Sequence, residues 1–169
     1  MPRRGIWICY TLELVALAVW TGGLIVIVAA VIPAVFNSFG MEQGGRFLTR
    51  VFDGYNRATV GAIAVLVVCS GVRSWMVRKR SASWPSVTRV ESVLLLLMIL
   101  VAVGIIAVLG PQTVELQERA FAAKEEAAKN QAYDAFFRTH RTVRGLYLVN
   151  LGLGIALMAV RVRAWVGRR

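Results

Sequence analysis

Apolar residues in this chain come in blocks, and the charges stand between the blocks. Glu13 is followed by an uncharged run that reaches Met41. A second covers Ser92–Val114, and shorter ones cover Ala58–Val72 and Gly145–Val160. Within these runs the apolar residues occupy every face of a helix rather than one stripe, as expected of a segment surrounded by hydrocarbon. A bilayer core of about 30 Å takes about 20 helical residues, and fewer where terminal arginines reach back to the headgroups. Four spanning helices are predicted, over about 7–36, 55–77, 90–110 and 141–161. The apolar stretch behind Arg3 and Arg4 is longer than the roughly 7–15 residues of a cleaved signal peptide, so it reads as a retained first span.

The odd spans match one another. Glu13 opens the first and Glu91 the third; Pro33 and Pro111 close them, 20 residues later in each case. At 1.5 Å per residue that separation is about 30 Å, so each odd span sets a glutamate near one boundary and a proline near the other. FDGYNR (52–57) and FRTHRT (137–142) stand ahead of the even spans, setting Tyr55 opposite His140, and Arg78 falls opposite Arg163. The expected fold is all-α: an integral membrane four-helix bundle, one transmembrane domain over residues 1–169, built as two helical hairpins in a parallel 2+2 pseudo-repeat. Pro33 and Pro111 are its expected bend points.

Two connections lie on the side away from the glutamates. Residues 37–54 hold Gly40, Gly44 and Gly45, then the amphipathic RFLTRVFDGY, whose aromatics suit a membrane interface. Residues 112–139 are rich in Ala, Glu, Gln and Lys, good helix formers, with acid-first pairs Glu115–Arg119 and Glu125–Lys129. An extramembrane helical hairpin is predicted here, with the third helix running past Pro111 to about Lys129 and the chain turning near Asn130.

Composition agrees with a membrane location. The chain is 57% hydrophobic and 17% charged, against about 25% charged in soluble domains. Its net charge of +11 is unevenly shared. Arg3, Arg4, Arg73, Arg78, Lys79, Arg80, Arg89, Arg161, Arg163, Arg168 and Arg169 fall on the side of both termini, with only Glu13 and Glu91 to offset them. The positive-inside rule therefore places both termini in the cytoplasm, in the inner (cytoplasmic) membrane. That asymmetry accounts for the basic character, and no polar segment interleaves basic and aromatic residues as a nucleic-acid surface would. Cys9 and Cys69 form neither a metal-spaced pair nor a disulfide framework.

Two groups of side chains are candidates for chemistry. On the inner side, Arg73 is the expected partner of Glu13, and Arg89 adjoins Glu91 in sequence, either for structural ion pairing or for a proton or cation role. On the outer side, the single histidine, His140, shares a helix face with Arg144, Tyr147 and Leu151, with Asn150 deeper. Together with Tyr55, Asp53 and Arg57 these residues outline a candidate polar vestibule. His140 is open to three readings: an interfacial hydrogen-bonding residue reaching Asp53 or a carbonyl, a polar gate, or a metal or haem ligand. A lone histidine rules out bis-histidine haem within one subunit, and the adjacent arginines disfavour a bound cation. Neither a cofactor nor a metal is expected. Catalytic residues are not expected either: the chain has no Ser-His-Asp spacing and no H-E-x-x-H.

WTGGLIVIVAAVIPAVF (20–36), followed by GGRFLTRVFDGY, resembles the first half of the transmembrane protein 205-like family, and FFRTHRTVRGLYLVNLGLGI (136–155) resembles its second-half signature. Trp20, Gly22, Gly23, Pro33, Phe36, Pro111, His140 and Asn150 carry the likeness. The resemblance implies a small four-span membrane protein whose eukaryotic relative is linked to drug and metal tolerance. The expected function is non-enzymatic handling or transport of a small solute or ion. The alternative is an accessory or assembly subunit of a larger membrane complex, with a haem- or quinone-binding redox subunit third. The expected partners are the lipid bilayer and, through small-residue patterns such as Gly22-Gly23 and Gly152-x-Gly154, a second copy or other membrane subunits.

Overall fold

The computed structural model describes residues 2–80 and 87–166, and all regular structure among them is helical. In chain order these are α1 (Pro2–Val26), a π-helical turn (Ile27–Val31), α2 (Ile32–Arg80), α3 (Arg89–Val103), a second π-helical turn (Gly104–Leu109), α4 (Gly110–Ala122) and α5 (Glu126–Val166). Arg168 and Arg169 lie outside the described residues.

Three helical stretches are long and apolar enough to cross a membrane: Gly5–Lys79, Arg89–Ala122 and Glu126–Ala164. The first has 75 residues and would be about 110 Å long if straight. It folds back at Gly40, where φ is 70° and ψ −169°, a conformation essentially reserved for glycine. The arms on either side then pack together, and the Tyr55 hydroxyl donates to the Trp20 carbonyl at 2.9 Å. The connection expected over 37–54 is therefore a single sharp residue. Helix runs up to it and resumes beyond it, so the amphipathic RFLTRVFDGY stretch is the start of the returning arm.

The prolines sit inside helices instead of closing them. Within a regular α-helix a proline ring meets the carbonyl four residues back and offers no N–H to it. The chain widens by a turn at that point. Ile32 N–H reaches the Ile27 carbonyl just before Pro33, and Gly110 N–H reaches the Ile105 carbonyl just before Pro111. Ile27 lies 14 residues past Glu13, and Ile105 lies 14 past Glu91. Helix then continues on the far side of both.

The outer hairpin turns earlier than its composition suggests. α4 ends at Ala122, and Ala123 leaves the helix with ψ 123° while its N–H closes on the Arg119 carbonyl. Phe121 then packs edge-on against Tyr133 at 6.5 Å between ring centroids. Arg119 in the last turn of α4 and Glu126 in the first turn of α5 complement the two helix dipoles. The expected extension to Lys129 and turn near Asn130 are thus corrected to a turn at 123–125. Glu125 lies in that turn, so the pair drawn from Glu125 to Lys129 falls across a helix start.

Burial repeats along each segment at alternate steps of four and three. One buried series runs through Ile6, Tyr10, Glu13, Leu17, Trp20, Leu24 and Ile27 before Gly40; Thr59, Ala62, Leu66, Cys69 and Arg73 after it; Glu91, Leu95, Met98, Ala102 and Ile105 in α3 and the turn that follows; and Asn150, Gly154, Leu157 and Arg161 in α5, with Ala16, Thr21, Tyr55 and Val143 buried beside it. This is the seam of helices packed knobs-into-holes. Leu17, Leu66, Met98 and Leu157, one from each segment, have no exposed surface and form a dry layer. The outward faces are apolar as well: Trp7, Leu12, Val15, Val68, Leu96, Leu100 and Val149 are among the exposed residues, while Glu13, Arg73, Glu91 and Arg161 are buried. Apolar outside and charged inside is the arrangement of a membrane protein.

Candidate functional site: a buried ring of two carboxylates and two guanidiniums

Four charged side chains meet in the interior, one from each of the four packed segments. Arg73 Nη2 lies 2.6 Å from Glu91 Oε2, and Arg73 Nη1 lies 3.6 Å from Glu13 Oε2. Arg161 Nη1 lies 3.3 Å from Glu13 Oε2, and Arg161 Nε lies 3.8 Å from Glu91 Oε2. Each carboxylate faces both guanidiniums, and each guanidinium faces both carboxylates. No side chain in the ring is more than 1% exposed. The formal charge of the ring is zero.

Neutral partners hold its members in place. Ser70 donates to Glu13 Oε1 at 2.8 Å and accepts from Arg161 Nη2 at 3.3 Å. The Tyr10 ring lies under the Arg73 guanidinium at 5.2 Å, a cation–π contact, and its hydroxyl donates to the Arg161 carbonyl. Thr88 caps α3: its hydroxyl accepts from the Glu91 N–H at 3.1 Å and donates to Glu91 Oε1 at 3.4 Å. Glu91 is thereby fixed by a helix start and by Arg73 together.

An unpaired charge buried away from water costs several kcal/mol. Four charges persist because each has an opposite neighbour within salt-bridge distance. The satisfaction is incomplete, however. Glu13 Oε2, Arg73 Nε, Arg161 Nε and Arg161 Nη1 are buried without a hydrogen bond of acceptable geometry.

Of the inner candidates, Glu13, Glu91 and Arg73 therefore come together. Sequence reasoning missed Arg161, Ser70, Tyr10 and Thr88. Arg161 had a signal: like Arg73, it is the first charge after a long uncharged run on an even span. It reads equally well as an arginine reaching for headgroups. Arg89, adjacent to Glu91 in sequence, is exposed.

The outer candidates divide. Tyr55 and Tyr147 are neighbours, with ring centroids 6.2 Å apart, and the Tyr147 hydroxyl donates to Asn56 Oδ1 at 3.1 Å. Tyr55 thus stands beside Tyr147, not His140. Asn150 is buried, with Oδ1 unpartnered. His140 and Arg144 are exposed, and His140 stacks on Phe136 one turn earlier, at 5.4 Å. Asp53 pairs with Arg57 at 2.8 Å on the surface, where both side chains are more than half exposed. The tyrosine pair is turned inward, while His140, Arg144, Asp53 and Arg57 are exposed.

Neither a curated protein nor a solved structure matches the chain. One family model does, over residues 15–122, which include Arg73 and Glu91 of the ring and leave Glu13 and Arg161 outside. That match takes in more than half of the sequence, and the chain accordingly belongs to the family described as a domain of unknown function, DUF4149.

Proposed function

We propose that this chain is a non-enzymatic, four-span protein of the cytoplasmic membrane that handles or transports a small solute or ion, with the Glu13–Arg73–Glu91–Arg161 ring as its working centre. The observation that carries the reading is the ring itself. Charged groups within spanning segments are rare and mark ion or proton pathways by default. A purely structural tie would need one pair, whereas here two carboxylates share two guanidiniums and leave bonding capacity over. The basic excess at the ring's end of the helices supports N-in, C-in topology.

The matched spacing of glutamate, π turn and proline supports a bundle of two parallel hairpins, with Glu13 and Arg73 from the first half and Glu91 and Arg161 from the second. Sites between such halves are a recurring transporter design. The resemblance to the transmembrane protein 205-like family fits a tolerance-type role.

The test is complementation of a strain lacking the gene. The Arg73→Gln/Glu91→Gln double variant keeps one ion pair and zero net charge, so it should accumulate like the wild type yet fail to restore tolerance or uptake. Full restoration would refute a working role for the ring.

A second reading, an accessory subunit of a larger complex, is favoured by the outer hairpin. Its aromatic ladder Phe121–Tyr133–Phe137 leaves Phe137 48% exposed, and its charged face pairs with the returning arm only at Arg46–Glu118, 2.8 Å. Co-purification in mild detergent of a stoichiometric partner, lost on replacing Phe137 with Ser, would favour it. A haem or quinone subunit has less support, because the only histidine is exposed against Phe136.

A further inference from the structure

The donors and acceptors of the ring do not balance. Two guanidiniums carry five N–H groups each, and two carboxylates offer four oxygens. Three guanidinium nitrogens are buried without a hydrogen bond: Arg73 Nε, Arg161 Nε and Arg161 Nη1. Among the carboxylate oxygens only Glu13 Oε2 is in that state. Its nearest cations, at 3.3 and 3.6 Å, attract it without bonding it. The other three oxygens are engaged: Glu13 Oε1 with Ser70, Glu91 Oε2 with Arg73, and Glu91 Oε1 with Thr88. The ring therefore offers one vacant position for a proton and several N–H groups for an electron-rich atom, side by side.

Charge ties the two together. The ring is neutral as it stands. A proton alone would leave +1 in a low-dielectric interior, and an anion alone would leave −1, each unfavourable without a counter-charge. Both together leave zero. We propose that the ring takes up one proton, on Glu13 Oε2, together with one small monovalent anion, on the Arg73 and Arg161 guanidiniums.

The inference rests on the reading of the ring as a working centre and names what it handles. The groups facing Glu13 are Tyr10 on its own helix, Cys69, Ser70 and Arg73 on α2, Glu91 on α3 and Arg161 on α5. Ser70 and Thr88 occupy Glu13 Oε1 and Glu91 Oε1, and Arg73 occupies Glu91 Oε2, which leaves Glu13 Oε2 as the open acceptor. The proton comes from the aqueous phase and returns to it, and no other bond is made or broken. Because proton and anion bind together, anion affinity rises as pH falls. A divalent anion would leave the protonated ring with a net negative charge, so selectivity for monovalent ions follows.

The experiment uses the full chain in mild detergent, with thermal unfolding followed by fluorescence of its five tryptophans. Chloride, nitrate and formate are compared with gluconate, which is too large for the ring, at equal ionic strength and at pH 5 and 8. The small anions should raise the melting temperature at pH 5, with apparent affinity at least about tenfold weaker at pH 8. Glu13→Gln, a fixed neutral mimic of the protonated state, should bind them equally well at both pH values. Arg161→Gln should bind at neither; should it not fold, Arg161→Lys keeps the charge, loses the fork and should weaken binding.

Equal anion effects at both pH values in the wild type, or none in either the wild type or Glu13→Gln, would overturn the proposal. Liposomes separate it from the broader reading. Anion binding without flux keeps the site and removes transport, whereas solute flux that ignores both the anion and Glu13→Gln keeps transport and removes the proton–anion site.

Discussion

Removing Arg73 should unsettle the fold, and removing Glu91 with it should restore most of what was lost. With an effective dielectric of about 20, the 2.6 Å Arg73–Glu91 contact corresponds to about 6 kcal/mol of attraction and the 3.3 Å Arg161–Glu13 contact to about 5 kcal/mol, before desolvation is subtracted. Breaking a buried pair from one side leaves an uncompensated charge and costs about 3–5 kcal/mol. Arg73→Gln leaves two glutamates facing Arg161 alone, a net −1. Glu91→Gln leaves two arginines facing Glu13 alone, a net +1. The double variant is neutral again and keeps the Glu13–Arg161 pair. Each single variant should therefore lose about 3–5 kcal/mol, and the double, neutral again, should lose less than either single, so that it falls at least about 3 kcal/mol short of their sum. The assay is reversible unfolding in mixed micelles of increasing SDS fraction, with the four proteins run as a cycle. Additivity within about 0.5 kcal/mol would refute the geometry, since it would mean that the two side chains do not feel each other.

Three smaller outcomes follow from the same coordinates. Gly154→Ala would drive a methyl group into Thr21 Cγ2, with Met98 Cε 3.2 Å away, and should cost about 1–3 kcal/mol; adding Thr21→Ser, which removes that methyl and keeps the hydroxyl bond to the Leu17 carbonyl, should recover much of it in the same SDS assay. Gly40→Ala forces a β-carbon into a backbone conformation reserved for glycine and should cost about 1–3 kcal/mol, read as a lower melting temperature and slower migration of a less compact species on mild gels. A cysteine placed at Lys124, in a chain with Cys9 and Cys69 replaced by Ala, should react with an impermeant thiol reagent from outside intact cells, while a reporter at the C-terminus reports the cytoplasm. The same compartment for both would refute the orientation.

The spans were legible because length without charge is a direct signature of a bilayer. The reversals were legible only in part. Glycines marked the first connection, but one positive φ at Gly40 does what an 18-residue loop was expected to do. At the second, Ala, Glu and Lys favour helix everywhere, so composition gave no stop. The turn is set by Phe121 meeting Tyr133, a contact between segments.

The ring was half legible. Spacing put Glu13 and Glu91 at one depth with Arg73, but Arg161 had headgroups as an equal alternative. Which outer candidates turn inward was not legible, for a different reason. Membrane helices are apolar all round, so the face that packs inward cannot be read from apolar residues. It is marked instead by small and polar ones: Asn150, Gly154 and Arg161 lie on the inward face of α5, and Arg144 does not. Helix rotation is fixed by contacts such as Gly154 against Thr21, which involve two distant stretches of chain.

The cross-linked charges also impose an order of assembly. In chain order Glu13 is made before either ring arginine, and Arg73 before Glu91. The last counter-ion, Arg161, arrives with the final helix. Once Glu91 has been made, the chain carries two ring carboxylates against one guanidinium, and only Arg161 restores the balance. Completion of α5 is thus the step that closes the ring, and a chain truncated ahead of Arg161 should be less stable than the full one.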